Sequence, residues 1–262
     1  MPSAPDSSQP KIRLTGIYKA FGAKQVLDGL DLAVEQAESV VLIGGSGSGK
    51  SVLLKHIIGL IRPDRGTVEI DGTDINTLSY TEITGFRRRF GMAFQEGALF
   101  DSMTVGENVG FALRRHTKMS KSEVRARVDE CLALVRLEGV RDRMPSQLSG
   151  GMRRRVGFAR AIALEPEILL FDEPTTGLDP ITTAQIDEVI VEVRERLHTT
   201  TVTITHDMGS AFRIADRIGL LHAGKIVAMA PPEEFRNHPD PRVQQFIHGQ
   251  AEGPLTEPAP SR

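Results

Sequence analysis

The chain has 262 residues and a formal net charge of -2. That length holds one large domain or two small ones, and the near-neutral balance gives no whole-chain attraction to nucleic acid. A single cysteine, Cys131, excludes an intrachain disulfide and fits a reducing compartment. Met1 to Pro10 is rich in Ser and Pro and has no apolar stretch, so it reads as a disordered tail and not as a secretory signal. Runs at 11–17, 26–34 and 66–71 then read as strands with no helix between them, and Pro63-Asp64-Arg65-Gly66 reads as a turn. They predict an antiparallel layer beside a main sheet.

Apolar runs at 39–43, 167–171 and 201–204 are short and continuous, and each ends in a polar turn bearing glycine or histidine. This is the pattern of strands buried on both faces of a parallel sheet. Helical patterns alternate with them at about 50–60, 150–164, 181–197 and 207–215, so the predicted core is α/β. The middle, 104–147, reads as helical, with Glu123 to Leu137 the clearest amphipathic stretch. Cys131 lies among its apolar residues and reads as a buried small hydrophobe rather than a reactive thiol. After Pro231 the chain turns polar and Pro-rich, with one more helical pattern from Val243 to His248 and then a frayed tail. Apolar runs such as Ile168 to Phe171 fall far short of the roughly 20 residues that span a bilayer. If the protein powers transport, another chain must form the pathway.

The first apolar strand of that core runs into Gly44-Gly45-Ser46-Gly47-Ser48-Gly49-Lys50-Ser51, a complete P-loop pattern set between a strand and a helix. Glycines let successive backbone N–H groups turn inward on phosphate oxygens, and the helix that follows adds its positive dipole end. Lys50 is the expected partner of the β- and γ-phosphates, and the Ser51 hydroxyl the expected Mg²⁺ ligand. The second strand ends in Asp172-Glu173. A carboxylate at the first position suits the Mg²⁺ shell, and Glu173 suits a general base for the attacking water. Alone, such a pair is as often a solvated strand end. His206 ends the next strand, and a lone histidine there is more often structural than a phosphate or water donor.

Many folds carry a P-loop, so it does not name the machine. Leu148-Ser149-Gly150-Gly151-Met152 resembles the signature motif of the ABC ATPases, LSGGQ in its commonest form, with Met152 in place of Gln. Ser149 also reads as a plain helix N-cap, and a capped helix N-terminus is itself an anion site. The resemblance covers roughly 11–240. It implies a P-loop NTPase core with a mostly parallel sheet, an N-terminal antiparallel β layer and a helical subdomain at about 96–160. Residues 241–262 would add a C-terminal helix and tail. It implies that Phe21 stacks on adenine, that Gly44 to Val52 cradle the nucleotide, and that Gln95 senses both Mg²⁺ and the permease. It implies that Asp179 lies in a loop at a dimer interface and that His206 is the switch histidine. Ser149, Gly150 and Gly151 would complete the nucleotide site of a second copy, making the working unit a homodimer that hydrolyses ATP. The runs Arg153-Arg154-Arg155 and Arg87-Arg88-Arg89 read by default as solvated surface, the first with a second reading as positive potential beside the partner's triphosphate.

A finer resemblance lies in Gln95 to Val109, in Ser51 to Leu60 and in Asp240 to Gly249. These are similar to the ATPases of the maintenance-of-lipid-asymmetry, or MCE-type, systems. That likeness implies phospholipid movement between inner and outer membranes. The implied partners are an integral-membrane permease, an MCE-domain lipid-binding protein and often a STAS-domain subunit, with no nucleic acid. The implied place is the cytoplasmic face of the inner membrane, held through the permease. The alternative within the family is an importer ATPase such as one for polar amino acids. A chromosome-maintenance ABC protein would carry a long coiled-coil insertion, which the short 61–147 segment lacks, and a translation-type factor would carry two cassettes.

Overall fold

The computed structural model describes residues 9–95 and 97–256. In chain order it has β1 (Ile12–Phe21), β2 (Lys24–Val34), β3 (Ser39–Ile43), α1 (Lys50–Ile57), β4 (Arg65–Ile70) and β5 (Thr73–Asp74). Then come α2 (Tyr80–Phe86), β6 (Phe90–Ala93), α3 (Val105–Val109), α4 (Phe111–His116), α5 (Lys121–Leu134) and α6 (Gly150–Ala161). The chain continues with β7 (Ile168–Asp172), α7 (Pro180–Leu197), β8 (Thr200–Ile204), α8 (Met208–Ile214), β9 (Arg217–His222), β10 (Lys225–Ala230), α9 (Pro232–Arg236) and α10 (Pro241–His248).

Two sheets form. One has the order β2-β1-β4-β5 and is antiparallel; the other has the order β10-β9-β3-β8-β7-β6 and is parallel except for the β10–β9 hairpin. The predicted α/β core and N-terminal antiparallel layer are both present. Side-chain alternation along the main sheet separates two cores. Val40 and Leu42 join Ile12, Leu14, Leu53 and Leu170 under the antiparallel layer. Val41 and Ile43 face the other way, with Phe171 and the buried sides of α5, α6 and α7. Each fully buried Leu or Ile contributes about 1.5–3 kcal/mol, which is why these strands are apolar on both faces.

Helix ends follow local chemistry. The first predicted helix stops at Ile57, short of 60, because Gly59 turns left-handed at φ +67°, and a Cβ there would meet Ile83 Cδ1 at 2.8 Å. Helix α5 starts at Lys121, ahead of Glu123, because Ser120 and Glu123 close a capping box. Cys131 is buried on α5, and burial pushes its thiol up to about 11, as expected of a packing residue. The hairpin β9–β10 lies outside the expected elements, and so does helix α2, although Ser79 and Glu82 form a capping box at its start.

Of the predicted N-terminal tail, residues 1–8 lie outside the described residues, while Pro10 is buried. The stretch after α10 is not frayed as far as residue 256. Buried Gln245 holds it, donating to Gln250 O at 3.2 Å and accepting from the Leu255 N–H at 2.8 Å. Residues 257–262 lie outside the described residues. No helix among the described residues is long and apolar enough to cross a membrane.

A charge network staples the two sheets together. Lys11 Nζ lies 2.9 Å from Asp71 and 2.5 Å from Glu167, and Arg89 Nε lies 2.9 Å from Glu167 while its fork also reaches Asp71. Arg89 above all, with Lys11, holds the Glu167 carboxyl down at about 2, against an ordinary value of 4.5. The depressed folded value means that this stability is full above 4.5 and is lost as pH falls from there towards 2. Its side chain is 46% exposed, so after discounting for solvent the pair is worth about 1 kcal/mol. Glu167→Gln is therefore expected to lower the melting temperature at pH 7, with the gap to wild type shrinking below pH 4 in parallel thermal scans.

Candidate nucleotide site

The loop after β3 is shaped by glycine. Gly47 and Gly49 are left-handed at φ 75° and 108°, and a Cβ on Gly44 would sit 2.3 Å from Leu221 O. Helix α1 begins at Lys50 with no side-chain cap, so its first N–H groups stay available to an anion. Lys50 Nζ donates to Gly44 O at 2.7 Å and Gly45 O at 3.1 Å and lies 3.9 Å from Glu173 Oε1. Burial lowers its pKa, opposed by the charges of Glu173 and Asp172.

Strand β7 delivers the two carboxylates. Ser51 Oγ donates to Asp172 Oδ1 at 3.3 Å, and burial raises the Asp172 pKa. Glu173 sits in the left-handed region at φ 51°, a strain costing about 1–3 kcal/mol that the surroundings must hold in place. Its N–H is fixed to Ile204 O of β8 at 2.9 Å. Its Oε2 lies 2.8 Å from His206 Nδ1 and accepts the Thr176 hydroxyl at 2.9 Å. The carboxylate is thus pinned on two sides and points at the loop that bears Lys50.

These groups share one cavity of about 750 Å³, lined by Gly44 to Val52, Gln95, Glu173, Thr176 and His206. Asp172 lies behind Ser51. Lys24, Val26 and Phe246 also line the cavity, and sequence reasoning missed them with Thr176. Thr176 had a signal, since it sets a hydroxyl three residues past a strand-end carboxylate, within reach of folding back on it. Phe246 had none, because only the tertiary fold brings α10 to this wall.

Some expected residues lie elsewhere. Phe21, at the end of β1, is exposed and outside the cavity lining, with Lys19 Nζ 5.6 Å from its ring centroid. Ser149 caps α6, accepting from the Met152 N–H at 3.2 Å. Asp179 caps α7, accepting from the N–H groups of Ile181 and Thr182 at 3.0 Å each. Gly150 instead lines a separate cavity of about 460 Å³ with Arg153, Gly177 and Leu178. Within one chain the signature does not meet the P-loop.

The reading of the arginine runs as solvated surface holds for the exposed Arg88 and Arg153 and fails for Arg154, with Arg87, Arg89 and Arg155 half-buried. Arg154 is buried; it donates to Gln95 O at 2.6 Å and to Thr176 O. Arg153 and Arg155 bond the carbonyls of Leu148 and Arg136 at 2.9 and 3.2 Å. Arg87 bonds the carbonyls of Ile58 and Gly59 at the end of α1.

Comparison with known proteins accords with this geometry. A family model described as "ABC transporter" matches residues 27–176. The chain is 43% identical to the probable ribonucleotide transport ATP-binding protein mkl of Mycobacterium tuberculosis, over 93% of this chain and 68% of that one. It is 41% identical to the intermembrane phospholipid transport system ATP-binding protein MlaF of Escherichia coli, over 89% of this chain and 87% of that one. Among solved structures, the dimeric bacterial ABC transporter cassette MJ0796 superposes with a TM-score of 0.78 at 36% identity, covering 84% of this chain and 98% of that one. The same cassette has been seen in a post-hydrolysis dimer bound to ADP and Pi, with a TM-score of 0.76 at 34% identity over the same shares of the two chains. With the phosphate loop, Glu173 and His206 lining one cavity, the chain belongs to the ABC transporter family and is one of its ATP-hydrolysing cassettes.

Proposed function

We propose that this cassette drives phospholipid transport between two membranes as a homodimer under an integral-membrane permease. The observation that carries the cargo is the 41% identity to MlaF over most of both chains, together with the segment after Gln95, where a permease would dock. These favour lipid over the polar amino acid importer considered from sequence. The name of the mkl relative supplies a second reading, ribonucleotide transport. An MCE-domain lipid-binding protein and a STAS-domain subunit are the further proposed partners, and the cytoplasmic face of the inner membrane the proposed place. Residues 11–240 would be the ATPase domain, 96–160 its helical subdomain, and 241–262 the C-terminal helix and tail.

The proposed chemistry follows from the residues. Gly44 to Val52 cradle the triphosphate, with Lys50 on the β- and γ-phosphates. Ser51, Asp172 and Gln95 are hard oxygen donors beside that cradle, which fits Mg²⁺. When bound, Mg²⁺ would neutralise charge on the phosphate oxygens. Glu173, held by Thr176 and beside His206, orients and deprotonates water at the γ-phosphate. Phe21, exposed at the end of β1, is the proposed adenine contact. Ser149, Gly150, Gly151 and Asp179 would serve the partner's nucleotide.

Detergent copurification from the native membrane tests the cargo. Phospholipid and an MCE-domain protein should come with the cassette, whereas ribonucleotide-stimulated ATPase without bound lipid would favour the mkl-like reading. Chelating divalent cations should abolish turnover, and Ser51→Ala should raise the Mg²⁺ concentration needed for half-maximal turnover about tenfold. An unchanged Mg²⁺ requirement would remove Ser51 from the site.

A further inference from the structure

We propose that Arg154 is a positioning residue, tying Glu173 to the signature helix and to the turn that carries Gln95. The inference rests on the reading of Glu173 as the hydrolytic carboxylate. Arg154 belongs to α6, whose N-terminus carries Ser149 and Gly150. Its guanidinium is buried and reaches two carbonyls from different segments, Gln95 O at 2.6 Å and Thr176 O. Thr176 in turn donates its hydroxyl to Glu173 Oε2 at 2.9 Å. The planar fork of arginine fixes the angle between two such acceptors, which a lysine ammonium cannot do.

The rest of α6 reinforces the joint. Arg160 donates to Gly97 O at 2.8 Å and Ala98 O at 2.7 Å. A Cβ on Gly157 would meet Gly97 Cα at 2.8 Å, so the helix and the turn after Gln95 lie in direct backbone contact. Glu173 itself is left-handed at φ 51°, and such a backbone holds only where its surroundings over-determine it. A push on Gln95, Gly97 or Ala98 therefore reaches Glu173 through Arg154 and Thr176, and the signature end of α6 moves with it. Arg154 is not among the residues that line the phosphate cavity, so the expected effect falls on kcat rather than on ATP affinity.

The test uses the full chain with Mg·ATP. Arg154→Met keeps the apolar stem and removes the donors; it should lower kcat roughly tenfold or more and leave KM for ATP within about twofold. Arg154→Lys should recover part of kcat. Thr176→Val should lower kcat too, and the double variant Arg154→Met with Thr176→Val should be no slower than the slower single variant, because both act on one route. Unchanged kcat in either Arg154 variant, matched changes in kcat and KM, or losses that multiply in the double variant would overturn the proposal. If Arg154→Met fails to fold, Arg154→Lys with Thr176→Val carries the same cycle. Glu173→Gln separates the two claims: full turnover there sinks the role of Glu173, whereas its loss with an unaffected Arg154→Met sinks only the positioning.

Discussion

Glu173→Gln is expected to slow ATP hydrolysis by about 10²–10⁴-fold while ATP still binds. The substitution keeps the size of the side chain and its place beside Thr176 and His206, which lie 2.9 and 2.8 Å from Oε2. What it removes is the charge that takes the water proton. Binding should survive because the groups that meet the triphosphate, Lys50 and the N–H groups of the loop, belong to α1 and the stretch before it. With hydrolysis blocked, ATP-bound dimers should accumulate on size-exclusion chromatography. Phosphate release at the wild-type rate would transfer the base role to another group, and a loss of ATP binding would mean that the carboxylate shapes the loop instead.

The second large effect concerns the shared site. Lys50→Ala should remove turnover by losing the phosphate partner, and Gly150→Arg should remove it by blocking the signature, since a Cβ there meets nothing of its own chain within 4 Å. Mixing the two variants distinguishes a shared site from a self-contained one. If each nucleotide lies between one chain's P-loop and the other's signature, a mixed dimer carries both lesions in one site and an intact second site. An equal mixture should then recover about a quarter of wild-type activity, since half the dimers are mixed and half their sites are whole. A mixture as inactive as either parent would place both motifs in one chain's site, against the geometry that keeps Gly150 in a cavity of its own.

The chemistry was legible in sequence where its residues are adjacent. Gly44 to Ser51 announce a phosphate cradle because strand, turn and helix follow within one stretch. Asp172 and Glu173 announce themselves as the polar end of an apolar strand. What stayed hidden depends on distant packing. Arg154 looked like one of three surface arginines, and only the fold brings it under Gln95 and Thr176. Phe246 gave no sign of reaching the cavity, because nothing local says where α10 docks. The edge hairpin β9–β10 was missed for another reason: Arg217 to Ala230 mixes small, charged and apolar residues without a clean period. Helix α1 ends before the expected 60 because Gly59 can end a helix or sit inside one, and here contact with Ile83 decides.

The strand order has a consequence for the chain during its own synthesis. Strand β3, which aims the phosphate loop, lies between β8 and β9 in the finished sheet. Both neighbours are encoded far downstream, at Thr200–Ile204 and Arg217–His222. At typical rates of translation the apolar run Val40 to Ile43 therefore waits on the order of ten seconds before either partner strand leaves the ribosome. Throughout that interval a fully apolar strand has two unpaired edges, the condition that favours wrong pairing between neighbouring nascent chains. The growing cassette thus has its phosphate-binding sequence early and its phosphate-binding site late. A chaperone that covers residues 39–43 would raise the yield of folded protein, and slowing translation before codon 200 would lower it.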